Sequence, residues 1–110
     1  MNIVDINDLR TSVKAGQIIW TEHLILRLRE RNIKRADIVS CIQTGEIIEQ
    51  YPDDMPFPSC LILGNNTNNS PLHVVCAMNQ DLCCCMISAY YPNPDKWEPN
   101  NKTRKAGKTV

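Results

Sequence analysis

An α+β fold, with two or three N-terminal helices packed on one face of a curved four-stranded antiparallel sheet, is predicted by three features of this sequence. Apolar residues recur at helical spacing as far as Thr44, and from Glu46 onward short runs rich in Ile, Val, Cys and Tyr alternate with turn formers. The connections between those runs are short, which favours antiparallel neighbours. Helices first and strands after segregate into two layers around one core.

Ile6, Leu9 and Val13 fall on one stripe and are followed by Gly16, so residues 5 to 15 read as a first amphipathic helix. Gln17 to Trp20 is extended. Thr21 caps a second helix over about residues 22 to 31, stopped at Asn32, which tolerates the left-handed conformation. A third helix runs from Lys34 to Thr44 with Ile38, Val39 and Ile42 on its buried face, and Gly45 ends it. Four strands follow at about 46–51, 59–63, 71–78 and 82–91. They are joined by Pro52 to Pro58, by the polar loop Gly64 to Ser70, and by a tight hairpin at Asn79-Gln80-Asp81. Pro92, Pro94 and Pro99 stop the last strand. Residues 1 to 98 thus form a single domain, and residues 99 to 110 a basic, flexible C-terminal tail.

Composition excludes several classes of protein. The 110 residues are 43% apolar and 22% charged, ordinary values that argue against a disordered or coiled-coil chain. The longest uncharged apolar run, Leu82 to Tyr91, is ten residues, about half of a bilayer-spanning helix. Met1 to Asp5 lacks the basic start of a secretory signal, which leads us to expect a cytoplasmic protein without a membrane partner. With only four glycines the chain has no phosphate-binding glycine loop or dinucleotide fingerprint, and it contains no HExxH or GxSxG. No cofactor is expected.

The net charge of zero conceals segregation. Residues 1 to 35 carry seven bases and four acids, residues 36 to 95 no base and seven acids, and residues 96 to 110 five bases and one acid. Basic ends around an acidic middle give surfaces able to meet phosphate, although charge runs are usually solvated faces. The second helix sharpens the point. Leu24, Ile25 and Leu28 form its buried stripe, while His23, Arg27 and Arg31, spaced by four, line up beside it. Two permanently charged planar donors with a histidine in the first turn make a phosphate cradle, which Lys34 extends at the start of the third helix. The competing reading is a solvated basic face.

His73 is the other histidine. Alternation places Leu72, Val74, Cys76 and Met78 on one sheet face and His73, Val75 and Ala77 on the other, and if the first set faces the helices His73 points away from them. Tyr90 and Tyr91 point to opposite faces, and register decides which of them joins it. A histidine with a tyrosine hydroxyl is a candidate acid/base pair, and a histidine bonded to a neighbouring backbone group is the plainer alternative. The six cysteines contain no CxxC, and Cys83-Cys84-Cys85 alternates faces, so reduced packing residues account for them and no metal site is expected. A zinc site would need Cys76 and Cys84 to meet across the hairpin beside a histidine.

Several spaced segments in order, Thr21-Glu22-His23 through Arg27 and Arg31-Asn32-Ile33, Gly45 to Pro52, Pro71-Leu72-His73-Val74-Val75, and Ala89-Tyr90-Tyr91-Pro92 with Trp97, give the chain its resemblance to the domain-of-unknown-function family 4258. The resemblance implies kinship with RelE/ParE and BrnT-type toxins: small cytoplasmic α+β proteins, partnered by an antitoxin, here of a zinc-finger type. It also implies cleavage of RNA, free or ribosome-bound. Carried over by position, the characteristic histidine and arginine fall on His23 and Arg27, and the strand histidine on His73. The expected activity is that of a metal-independent endoribonuclease. His23 or His73 would move the proton, Arg27, Arg31 and Lys34 would hold phosphate, and Tyr90 or Tyr91, with Tyr90 the candidate for the catalytic set, would orient or stack on the substrate. A non-catalytic RNA- or protein-binding module is the alternative, and a small metal sensor ranks last.

Overall fold

The computed structural model describes residues 3 to 106. Three helices lead, as the apolar stripes predict: α1 (Ile6–Lys14), α2 (Glu22–Glu30) and α3 (Arg35–Thr44). Each start has a local cause. The Asp5 carboxylate accepts the Asn7 N–H, the Thr21 hydroxyl accepts the Leu24 N–H, and the Asp37 carboxylate reaches back to the Lys34 N–H. Asn32, at φ 57°, turns the chain after α2.

Among the described residues the sheet has five strands rather than four, and it is mixed. β1 (Ile18–Ile19), β2 (Glu46–Tyr51), β3 (Ser59–Asn65), β4 (Pro71–Met78) and β5 (Cys84–Tyr90) lie in the order β1-β5-β4-β3-β2, open at both edges. β2 to β5 are the antiparallel set read from the sequence. The addition is β1, which pairs in parallel with β5 through Ile18 against Cys84 and Ile19 against Cys85. Two residues are too few to show a period of two, so the sequence marks this segment only as extended. β5 begins two residues later than expected, because Asn79 Oδ1 accepts from both the Asp81 and Cys83 N–H groups and Leu82 takes φ 59°.

The helices cover one face of the sheet. Leu9, Val13, Leu24, Leu28, Ile38 and Ile42 pack against Cys60, Ile62, Leu72, Val74, Met86 and Ala89 in one core. α3 lies closest, over β3. There Gly64 is required, since a Cβ at that position would run into the Cys41 backbone. None of the helices among the described residues is long and apolar enough to cross a membrane.

Part of the other face is covered too, by the C-terminal segment, which reaches His73, Glu46 and Glu49. In the segment the sequence suggests as a flexible tail, and just before it, the described backbone is bonded: Trp97 bridges to Arg104, the Glu98 N–H donates to Thr103 O, and the Lys105 N–H donates to Lys96 O. Trp97 is 3% exposed. Residues 107 to 110 of the expected tail lie outside the described residues.

Candidate functional site

The residues selected from the sequence divide between the two sides of the sheet. His73 and Tyr90 are direct partners across β4 and β5 and share the outer face, away from the helices. Register therefore selects Tyr90 over Tyr91, whose hydroxyl instead donates to Asn32 O and accepts from Asn66 Nδ2. His23 and Arg27 sit exposed on α2, whose buried leucines pack on the inner face. The sheet separates the two sets, so His23 and Arg27 do not join His73 and Tyr90 in one constellation. Arg31 is committed elsewhere: its Nη1 donates to Ala89 O at 2.8 Å, tying the end of α2 to β5. Lys34 is exposed at the N-cap of α3.

His73 does point outward, as alternation predicts, but it is fully buried, because the C-terminal segment lies over it. Its ring stands edge-on to Trp97, with centroids 4.5 Å apart, and to Tyr90, at 5.3 Å. Nε2 lies 2.7 Å from Asn101 O. A carbonyl can only accept, so Nε2 carries the hydrogen and Nδ1 carries the lone pair. Nδ1 is buried and has no partner. Burial depresses the histidine's basicity, outweighing the bond to Asn101, and keeps the ring neutral at neutral pH.

Besides Asn101, the sequence reading missed four residues near this ring. Arg104 lays its guanidinium 4.5 Å over the Trp97 ring and forks onto Glu49, whose other hydrogen-bond donor is the Tyr51 hydroxyl at 2.5 Å. The paired arginine holds the Glu49 carboxyl below its ordinary range. Burial, then the bond to Glu49, pushes the Tyr51 phenol up to about 12. Lys96 is the fourth. With Tyr90, Tyr91, Asn93, Trp97 and Arg104 it borders a cleft of about 330 Å³ beside the histidine. Burial raises the Tyr90 phenol as well, so it stays protonated. Glu49 had a signal available, being an acid at a strand position facing the same side as His73. Lys96 and Arg104 had none, since nothing local ties a basic tail to a sheet.

The cysteines are free thiols. Cys60, Cys76 and Cys84 are buried together in the core, and no histidine joins them: the described residues contain no group of three potential ligands able to hold a metal.

A family described as a domain of unknown function, DUF4258, matches residues 20 to 91. The chain belongs to the DUF4258 family. No curated protein and no solved structure gives a significant match. The DUF4258 match runs from the start of α2 through β5 and includes every candidate site residue selected from the sequence, whereas Trp97, which the resemblance included, and Arg104, which stacks on it, lie beyond it.

Proposed function

We propose that this DUF4258 protein is an endoribonuclease of the RelE/ParE and BrnT type, acting as the toxin of a toxin–antitoxin pair, with its chemistry on the outer face of the sheet. The observation that carries the reading is the unpartnered Nδ1 of His73, buried and neutral, next to a cleft bordered by a protonated phenol and two cations.

Transesterification of RNA needs a base for the 2′-hydroxyl, positive charge for the phosphate, and a proton for the departing 5′-oxygen. Neutral His73 is suited to the first role through Nδ1. Lys96 supplies charge, with Arg104 beside it already paired to Glu49, and Tyr90, kept protonated by the same burial that keeps His73 neutral, supplies the proton. The 2′-oxygen attacks phosphorus, the bond to the 5′-oxygen breaks, and a 2′,3′-cyclic phosphate and a 5′-hydroxyl result. These side chains complete the acid/base set, so the step needs no metal from outside. Access to Nδ1 requires the Trp97–Lys105 segment to shift, since His73 is covered. His23 and Arg27, on the opposite layer, contribute to substrate binding at most.

The test is cleavage of a labelled single-stranded RNA in EDTA, with and without ribosomes. Wild type should cleave, Tyr90→Phe and Lys96→Ala should lose roughly a hundredfold or more in rate, and Arg27→Ala should retain turnover. Loss on Arg27→Ala with retention on Tyr90→Phe would move the site to α2. Absence of cleavage by folded, antitoxin-free wild type would leave the second reading, a non-catalytic RNA- or protein-binding module. That reading is favoured by the exposure of His23, Arg27 and Arg29 along one helix.

A further inference from the structure

Two surfaces outside the candidate site complement each other. Adjoining hollows of about 400 and 300 Å³ share Ile25, Arg29 and Arg35 and form one groove between α2 and the start of α3. Its apolar lining is Trp20, Ile25, Leu26, Leu28 and Ile33, with Leu26 56% exposed. Its cations are Arg29, Lys34 and Arg35, against one acid, Glu22. Among the described residues, ion pairs join only Lys102 to Glu46 and Arg104 to Glu49, so these three cations have no carboxylate. The nearby Asp37 carboxylate is already occupied by the Lys34 N–H and by the N–H and hydroxyl of Thr67.

The loop between β2 and β3 has the opposite character. Asp53 and Asp54 are exposed, and Met55, at 86%, is the most exposed large apolar residue in the described structure. Asp54 accepts from the Ser59 hydroxyl, and Asp53 has no such bond. A thioether fits an irregular apolar lining, and two carboxylates fit three unpaired guanidinium and ammonium groups. A stacked base fits less well, because Arg35 already covers the Trp20 ring at 5.4 Å. β2 forms one edge of the sheet and α2 packs on β5, toward the other, so loop and groove meet only between copies.

We propose that a second copy of this chain inserts its Asp53-Asp54-Met55 loop into the α2–α3 groove, in a head-to-tail contact that repeats from copy to copy. The contact uses different patches on its two sides, so it builds open chains or rings rather than closed twofold dimers. A single loop buries far less than the roughly 1,000 Å² of a stable interface, which makes the association weak and reversible. It stands independently of the ribonuclease reading.

The test is sedimentation velocity from micromolar to millimolar protein, at low and high salt. Wild type should sediment faster as concentration rises and revert in high salt. Arg29→Glu spoils the groove and Asp53→Arg spoils the loop; both positions are exposed, and circular dichroism checks the fold. Each variant alone should remain monomeric, with association weakened at least tenfold. An equimolar mixture should associate again, because the intact loop of one variant meets the intact groove of the other. Monomeric wild type at every concentration, association that survives in either variant, or a mixture that stays monomeric would overturn the proposal. So would oligouridine binding that Arg29→Glu abolishes in a monomeric wild type, which would assign the groove to RNA.

Discussion

Arg104 donates to both carboxylate oxygens of Glu49, 2.9 Å to each, and so fastens the C-terminal segment to β2 across 55 residues of sequence. Lys102 to Glu46 repeats the arrangement one step along the same strand face. Two acids of the central segment thereby meet two bases of the last segment, and part of the charge segregation is neutralised within the fold.

The Glu49 pair should give acid-sensitive stability. Arg104 depresses the carboxyl's folded-state value, so the contribution is present above about pH 4.5, the ordinary value, and is lost as pH falls through the depressed one. Arg104 is 58% exposed, which limits the effect to about 0.5–1 kcal/mol. Urea midpoints of wild type and Arg104→Gln should differ at pH 7 and converge toward pH 3. A constant difference would mean that the arginine acts through its stacking on Trp97.

Gly64→Ala should destabilise the protein by about 1–3 kcal/mol. The added Cβ would overlap the Cys41 backbone, which is held over β3 and β4 by the Cys41 thiol donating to Leu72 O at 3.2 Å. Neither backbone is free to yield. Chemical denaturation reads the cost directly, and an unchanged midpoint would show that α3 is less tightly seated than the packing implies.

The helices were legible because their causes are local: Asp5 and Thr21 sit where caps belong, and Leu24 and Leu28 fall on one stripe. β1 was not, since its two residues acquire meaning only beside β5. For the site, alternation correctly turned His73 away from the helices, and its burial was illegible because Trp97 and Asn101 come from a segment with no apolar period. The wheel that aligned His23, Arg27 and Arg31 describes one helix, and a wheel carries no information about which side of the sheet that helix occupies. Arg31 shows the same limit: on the wheel it is a free cation, and in the fold it bonds Ala89 O.

Thiol labelling of the native protein should separate the cysteines by layer. Cys41, whose thiol burial pushes up to about 12, and the fully buried Cys60, Cys76 and Cys84 should react only after unfolding. Cys83 and Cys85 are partly exposed and should react first. Mass spectrometry of iodoacetamide adducts would count two in the native state, and early labelling of Cys41 would signal opening of the α3–β3 contact.

His73 should remain neutral in the folded protein where a free imidazole is half protonated. Burial favours the uncharged ring, so the unfolded chain takes up its proton first as pH falls through 6.5, the ordinary value, and the folded chain only at lower pH. Stability is therefore highest above that range and declines between the ordinary and the depressed value. The His73→Gln variant should have a flatter profile across this window, and the His73 ring resonance in wild type should titrate below pH 6.5. The same measurement bears on catalysis, because protonating Nδ1 removes the proposed base, and RNA cleavage should fall with the same midpoint in acid. Titration at or above the ordinary value would show that water reaches the ring and that the Trp97–Lys105 segment does not hold it closed.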